Sequence, residues 1–261
     1  MLARNHVLVS EMTISLKVLG SSSSGNCGLL IHRGCYYLID AGFSGKKIRE
    51  KLMPYGIALE DISGVFITHE HQDHCQGLRS LRKIKHIKFY ANYHTAEAIE
   101  ERYHTGIRWS IFESNMSFFI GDLEIYPFRI SHDAIEPVCF SFKTQRQCCC
   151  WATDVGCITP DLANVLARAD DLVLEANHDR KLLWEHPTRP QYLKERVAGT
   201  LGHLSNKEAF DFIKNAQHQF KTVSLVHISK DCNSIEKMRD IFQPLADKKH
   251  FVLEIVNPFF S

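Results

Sequence analysis

A short segment rich in histidine and aspartate is the part of this chain best suited to bind metal ions. Four potential ligands, His69, His71, Asp73 and His74, follow directly on the apolar run 65–68, which is typical of a buried strand. Alternate side chains of an extended turn point the same way, so the first two can reach one cation, while the last two, rotated by a helix start, can face a second. Imidazole and carboxylate suit Zn²⁺, Mn²⁺ or Fe²⁺. The spacing predicts a two-metal site. A single histidine in a loop could simply be exposed to water, but that explanation does not account for four potential ligands within six residues.

Further possible ligands stand at the ends of other apolar runs. His132, Asp154 and His227 each follow such a run, and the last two come directly after residues 148–153 and 222–226. Loops at strand ends gather into sites on a rigid scaffold. Because two metals need more ligands than the first cluster provides, we expect these three residues to complete the set.

The order of apolar runs predicts the elements that must position these side chains. Strands followed by helices, and then strands and helices again, indicate an α/β fold in which two mixed sheets pack face to face with helices outside, an αββα sandwich. Strands are predicted at residues 14–19, 28–32, 36–40, 64–68, 88–91, 116–120, 123–130, 138–143, 148–153, 172–175, 222–226 and 251–255, and early helices at 46–53, at 74–83 and from a cap at Thr95 through Arg102.

Composition narrows the class of protein. A chain of 261 residues can bury one large core. Its net charge of +1 gives no long-range attraction to nucleic acid, so nucleic-acid binding would need a local basic patch. Three of the nine cysteines are consecutive, at Cys148–Cys150, and suit a buried strand better than a disulfide framework. No C-x-x-C pair occurs, so a structural zinc knuckle is not expected. This cysteine usage predicts a reducing, cytoplasmic setting. No apolar run approaches a membrane span. We predict a disordered extension at 1–11, one domain at 12–261, and no membrane association.

The motifs quoted above resemble those of the metallo-β-lactamase superfamily, which uses five motifs in this order. Asp40, within Leu38–Gly42, matches the first motif, residues 69–74 the second, and the three later candidates the third, fourth and fifth. The resemblance implies a metal-dependent hydrolase of the αββα fold with two divalent ions, most simply Zn²⁺ or Mn²⁺. The implied first site is His69, His71 and His132, the second is Asp73, His74 and His227, Asp154 bridges both, and Asp40 orients ligands without binding metal.

Within that superfamily the chain is similar to the bacterial YycJ (WalJ) group. The matching stretches are Gly20–Asn26, Asp40–Lys47, Ser131–Val138, Leu174–Asp179, Gly202–Asn206 and His227–Ser229. Departures are an extra serine at Ser22 or Ser23, Ile228 for a leucine, and Asp231–Asn233 for a stretch richer in asparagine. This resemblance implies a 5′-to-3′ DNA exonuclease, with DNA as its partner and no indication of oligomeric state.

The metal motif by itself does not choose the bond, because an activated water between two metals serves β-lactams, thioesters and phosphodiesters alike. Asp73 favours a phosphodiesterase because it adds a carboxylate that helps to hold both cations. Asp154 favours one too, since true β-lactamases usually carry cysteine at the fourth motif. Glu175 and His203 resemble the pair that ribonuclease Z-type enzymes place near the leaving group, where a Glu-held imidazolium can donate a proton. Asp73, Glu175 and His203 are therefore the predicted catalytic residues, although His203 could simply belong to the helix cap at neighbouring Ser205.

Substrate contacts are predicted with alternatives left open. The loop containing Ser23, Ser24 and Asn26 could hold a phosphate near the metals, or could be a plain hairpin turn. His178 could contact substrate or lie on the surface. Two other functions compete with the exonuclease: a small-molecule hydrolase acting on a thioester, lactone or cyclic phosphodiester, and a non-catalytic scaffold, against which the intact ligand set argues.

Overall fold

Two mixed β-sheets packed face to face form the centre of the molecule, a computed structural model in which residues 13–259 are described. The predicted αββα sandwich is confirmed. The predicted extension at 1–11 lies outside the described residues. Within 13–259, no helix has the length and apolar character needed to cross a membrane.

The first sheet has six strands in the order β1 to β6. Its β1–β2 and β2–β3 pairs are antiparallel, and the pairs from β3 to β6 are parallel. Its strands are β1 (Ile14–Ser22), β2 (Gly25–His32), β3 (Cys35–Ile39), β4 (Ile62–Phe66), β5 (Lys88–Ala91) and β6 (Trp109–Ile111).

The second sheet has seven strands in the order β13-β12-β11-β10-β9-β8-β7. Its β7 to β10 pairs are antiparallel, and the pairs from β10 to β13 are parallel. Its strands are β7 (Phe118–Ile120), β8 (Leu123–Arg129), β9 (Val138–Lys143), β10 (Cys148–Ala152), β11 (Asp171–Glu175), β12 (Thr222–Val226) and β13 (Val252–Ile255).

Helices cover the outer faces of the two sheets. Ile48 and Ile99 pack from α1 and α4 onto the first sheet, and Ile213 and Phe242 pack from α8 and α9 onto the second. The helices are α1 (Gly45–Leu52), α2 (Gln72–Cys75), α3 (Leu78–Leu81), α4 (Tyr93–Tyr103), α5 (Pro160–Leu166), α6 (Arg180–Glu185), α7 (Gln191–Ala198), α8 (Asn206–Asn215) and α9 (Ile235–Lys249), with 3₁₀ turns at Met53–Tyr55 and Leu59–Asp61.

A third core fills the space between the sheets. Phe66 of β4 contacts Phe140 and Phe142 of β9, with ring centroids 5.7 and 5.5 Å apart. Trp151 is fully buried there, and the cysteine triplet lies in the same strand, β10, as predicted. Hydrophobic side chains are packed between the two sheets and between each sheet and its helices. The loops at the edge of the sandwich are therefore attached to a rigid scaffold.

Two local predictions are wrong. Asn92, not Thr95, caps α4: its side-chain oxygen accepts from the Thr95 N–H at 2.8 Å, so the helix begins at Tyr93. The helix predicted at 74–83 is two short helices, because the Gly77 N–H donates to the Ala41 carbonyl at 2.7 Å and a Cβ at Gly77 would lie 2.5 Å from the Phe43 carbonyl oxygen. Tertiary contacts here override local periodicity.

Candidate metal centre

The predicted ligands meet at one edge of the sandwich. Residues 69–74 follow β4, His132 follows β8, Asp154 follows β10 and His227 follows β12. One ligand atom from each of His69, His71 and His132 lies within 4.8 Å of the others. The same holds for His69, His74 and Asp154, and for Asp154, Glu175, His203 and His227. The structure therefore brings together the side chains that the sequence placed at separate strand ends.

Among the described residues, three buried ring nitrogens of this cluster have no hydrogen-bond partner: Nε2 of His69, His132 and His227. Leaving one such atom unsatisfied costs about 1–3 kcal/mol, so an accumulation at one place calls for a partner. Nitrogen and oxygen lone pairs directed at a common space are the donor set that divalent transition metals bind. The residues thus fit divalent metal ions.

Asp40 and Thr68 set the orientation of two of the imidazoles. The Nδ1 atom of His74 lies 2.8 Å from Oδ2 of Asp40, so a proton there leaves Nε2 free to bind metal. The Thr68 hydroxyl lies 2.9 Å from both Asp40 Oδ2 and His69 Nδ1, and can donate to the first while accepting from the second. Asp40 is completely buried, in keeping with the role expected of it as an orienting residue.

His132 and His227 are held by the same kind of contact. Nδ1 of His132 lies 3.2 Å from the Gly202 carbonyl oxygen, and Nδ1 of His227 lies 2.6 Å from Oε1 of Glu175. In each ring a proton on Nδ1 directs the Nε2 lone pair towards the cluster. The contact to Gly202 was not foreseen, because a backbone carbonyl leaves no signal in residue types.

Three of these residues have a strained backbone. Asp40, Asp154 and His227 have φ angles of 61°, 57° and 54°, in the left-handed region that non-glycine residues rarely adopt. Each comes at or just after the end of a strand, and such a conformation costs about 1–3 kcal/mol. The sharp turn lets the side chain leave the sheet and point into the cluster.

The charges of the cluster are strongly coupled. Burial opposes ionisation of Asp154, but neighbouring His227 and His74 hold its pKa well below the usual range. Burial likewise opposes protonation of His227, yet the carboxylates of Asp154 and Glu175 raise its pKa to about 9. The buried carboxylates and imidazoles of the cluster therefore stabilise one another's charge.

Asp73 stands at the second predicted site. Its Oδ2 lies 3.6 Å from Nε2 of His74 and 3.9 Å from Nε2 of His227. Asn26 also lies here, with its amide nitrogen 3.2 Å from Asp73 Oδ2 and 3.0 Å from His74 Nε2. Asn26 is fully buried and its amide contacts the proposed ligand atoms themselves, whereas Ser23 and Ser24 are exposed in the β1–β2 turn.

Glu175 connects His203 to the cluster. Its Oε1 lies 2.9 Å from Nδ1 of His203 and 2.6 Å from Nδ1 of His227, and its Oε2 accepts from the Val155 and Leu204 N–H groups at 2.8 and 3.2 Å. Burial raises the pKa of Glu175, but the two imidazoles lower it to about 2. The His203 side chain is 22% exposed, so its ring is held on the inner side and reachable from solvent.

The surroundings of His203 and His178 bear on the alternatives given for each: a proton donor or a helix-cap residue for His203, and a substrate contact or a surface residue for His178. Ser205 does cap α8, together with Glu208, but His203 takes no part in that cap and pairs with Glu175. His178 is buried at 1% exposure rather than on the surface, and burial lowers its pKa to about 4. Its Nδ1 has no hydrogen-bond partner in the part of the chain that the structure describes.

Comparison with known proteins places the chain in a family. Residues 36–228 match the model of the Beta-lactamase superfamily domain, so the chain belongs to the metallo-β-lactamase superfamily of hydrolases. The chain is 34% identical to "Exodeoxyribonuclease WalJ" of Streptococcus pneumoniae over 86% of its own length and 85% of the relative's. It is 30% identical to "Exodeoxyribonuclease YycJ" of Bacillus anthracis, over 92% of each chain. The family resemblance inferred from the motifs is confirmed.

Solved structures support the same fold. The metallo-β-lactamase fold protein YhfI from Bacillus subtilis superposes with a TM-score of 0.70 over 94% of this chain and 96% of its own, at 15% sequence identity. Identity at that level shows the fold alone.

Proposed function

We propose that this chain is a metal-dependent phosphodiesterase, specifically an exonuclease that degrades DNA in the 5′-to-3′ direction. The observation that carries the proposal is the Glu175–His203 pair, held at 2.9 Å beside the cluster of unsatisfied ligand atoms. That geometry combines a place for metal ions with a proton donor for a leaving oxygen. The names of the two bacterial relatives favour DNA as the substrate.

Two divalent ions, Mn²⁺ or Zn²⁺, are the proposed cofactors. His69, His71 and His132 would hold one, Asp73, His74 and His227 the other, and Asp154 would lie between them, with its oxygens 3.1 Å from His74 Nε2 and 3.8 Å from His132 Nε2. When bound, the ions would supply a nucleophile from water near neutral pH and positive charge against the phosphoryl oxygens.

The protein's own contribution is to orient groups and deliver a proton. Glu175 holds the partly exposed His203 ring through Nδ1, which leaves Nε2 to protonate the departing sugar oxygen. Asp40 and Thr68 keep His74 and His69 in the metal-binding tautomer. His178 remains a proposed substrate contact.

End-labelled duplex DNA tests the activity and its direction. With Mn²⁺ or Zn²⁺, a 5′-labelled duplex should release labelled mononucleotide at once, whereas a 3′-labelled duplex should shorten progressively. The opposite order would overturn the polarity, and no degradation with any divalent metal would overturn the function. Turnover of bis-p-nitrophenyl phosphate without any DNA cleavage would favour a small-molecule hydrolase.

A further inference from the structure

The ligands proposed for the second ion come from both sheets and must be held at a fixed separation. Asp73 and His74 follow β4 of the first sheet, whereas His227 follows β12 of the second. Oδ2 of Asp73 lies 3.9 Å from Nε2 of His227. Metal–ligand distances tolerate deviations of only about 0.2 Å. Contacts that join the two sheets at this place therefore decide whether the three side chains can bind one ion together.

Asn26, on β2, contacts both ligands that come from the first sheet. Its Nδ2 donates to the Ser22 carbonyl at 3.2 Å and lies 3.2 Å from Asp73 Oδ2 and 3.0 Å from His74 Nε2. A carbonyl oxygen and an ionised carboxylate only accept hydrogen bonds, so the NH₂ end of the amide must face them. Its two hydrogens can serve Ser22 and Asp73, which leaves the Nε2 lone pair of His74 for an ion.

Ser21, on β1, connects this amide to the second sheet. Its hydroxyl donates to Asn26 Oδ1 at 2.6 Å and accepts from the His227 N–H at 3.0 Å. The accepted bond holds a residue whose backbone is strained, with a φ of 54°. Ser21 and Asn26 are both completely buried, so losing either contact would leave a polar group without water to replace it.

An irregularity in the β1–β2 pairing brings the two residues together. Val18 pairs with Gly28, but after a register shift of one residue Ser21 pairs with Asn26. Without that shift, Gly20, which has no side chain, would lie opposite Asn26. The additional residue in β1 thus places a hydroxyl where it reaches both the amide and the second sheet.

We propose that Ser21 and Asn26 are positioning residues that set the affinity for the second ion, because they hold Asp73, His74 and His227 in one arrangement across the two sheets. The inference rests on the proposed two-metal centre. It gives Asn26 a role different from the phosphate contact expected from the sequence, since the buried amide is already directed at the ligands.

The test measures the affinities of both metal ions in the full-length protein. Chelator-stripped protein is titrated with Zn²⁺ in competition with a chelator of known affinity, and the unfolding temperature is recorded for each variant. Asn26→Ala removes the amide, and Ser21→Ala removes a single oxygen atom. The other ion, proposed to bind at three histidines, serves as an internal reference, because the contacts described above lie at the ligands of the second ion.

Two buried residues of the same types provide matched controls. Asn92 caps α4, and Ser141 of β9 contacts the Cys148 thiol at 3.4 Å. Asn92→Ala and Ser141→Ala remove comparable buried polar groups, so they measure what such a loss costs elsewhere in the fold. Both should keep the two metal affinities of the unmodified protein.

For Asn26→Ala we expect the affinity for one ion to fall about 10- to 100-fold while the affinity for the other is unchanged. Ser21→Ala should act in the same direction, by about tenfold. The variant His227→Ala, which lacks a second-site ligand, assigns the effect to its site. Adding Asn26→Ala to it should leave the affinity for the remaining ion as it is.

Unchanged affinities for both ions in folded Asn26→Ala and Ser21→Ala would overturn the positioning role alone. Equal weakening of both ions, or the same loss in the controls, would also overturn it, because general packing would then explain the effect. Failure of the unmodified protein to bind a second ion would overturn the two-metal centre as well. Should Asn26→Ala prevent folding, Ser21→Ala still decides. Since no DNA is cleaved in this experiment, its outcome is separate from that of the nuclease assay.

Discussion

Glu175 is the residue through which proton delivery and metal binding are joined. Its single oxygen Oε1 lies within 2.9 Å of Nδ1 in both His203 and His227. The first ring is the proposed proton donor and the second a proposed ligand, so one carboxylate orients both. His203 is not one of the proposed ligands, so its substitution separates the two roles experimentally.

Substituting His203 should therefore slow cleavage while sparing metal binding. Loss of a general acid typically costs about 10²- to 10⁴-fold in rate, and we expect that fall in kcat for His203→Ala on DNA. Metal content, measured by elemental analysis, should match that of the unmodified protein. His94→Ala, an exposed histidine of α4, is the control and should retain full activity. Equal loss of metal and activity in His203→Ala would make His203 a ligand instead.

Asp40 should act on metal affinity through His74. Both Asp40 oxygens accept from Thr68, and Oδ2 also lies 2.8 Å from His74 Nδ1. In Asp40→Asn, one position would carry an NH₂ group facing a donor, so the tautomer of His74 is no longer fixed. We expect metal affinity to fall about 10- to 100-fold in a chelator competition.

A second histidine–aspartate pair provides the control for that experiment. His32 Nε2 lies 3.1 Å from Asp122 Oδ1 on β2 and the β7–β8 turn, and neither residue belongs to the candidate centre. Asp122→Asn should leave metal affinity unchanged. If both substitutions weaken metal binding equally, the orienting role of Asp40 is wrong.

At the scale of elements, strand ends were the predictable part of the site. His69, His132, Asp154 and His227 could be identified because each follows an apolar run that the structure confirms as β4, β8, β10 or β12. Contacts across the loops could not be identified, since they depend on how the turns approach one another. The left-handed backbone of Asp154 and the contact of the buried Asn26 amide with Asp73 and His74 belong to that class.

Gly42 should be needed for the approach of two loops. A Cβ there would meet the Asp73 carbonyl oxygen at 1.7 Å and the Asn26 nitrogen at 2.4 Å, both backbone atoms that cannot move alone. Gly42→Ala should lower the free energy of unfolding by about 3 kcal/mol or more and reduce metal content. Thermal unfolding and elemental analysis measure the two effects.

Gly106→Ala makes the same chemical change away from the site. Within residues 13–259, no atom beyond its chain neighbours lies within 4 Å of a Cβ at Gly106, so the φ of +65° is what opposes a side chain there, at a cost of about 1 kcal/mol. Both substitutions restrict the unfolded chain alike. A Gly42→Ala variant no less stable than Gly106→Ala, with full metal content, would show that the two loops can separate without consequence.

For the molecule as a whole, the sequence predicted the αββα sandwich because strands and helices alternate in two halves. It did not predict the break at Gly77 or the cap at Asn92, where contacts between segments distant in sequence decide the backbone. The one-domain boundary at residue 12 stays a prediction.

Metal removal should destabilise the whole fold. The centre joins loops from both sheets, and three of its buried ring nitrogens lack a hydrogen-bond partner among the described residues. Metal at about 1,000 times its dissociation constant would add about 4 kcal/mol to the free energy of unfolding. We expect the unfolding temperature to fall by several degrees after chelation and to recover with Mn²⁺ or Zn²⁺. An identical temperature with and without metal would mean that no ion binds the native centre.

The most direct test of the central claim is the rate of mononucleotide release from 5′-labelled duplex DNA as metal is returned to the chelator-stripped protein. Two cooperating sites predict that no nucleotide is released without metal and that the rate reaches its plateau near two equivalents of Mn²⁺ or Zn²⁺. Release that does not depend on metal, or no release at any metal content, would contradict a two-metal DNA exonuclease.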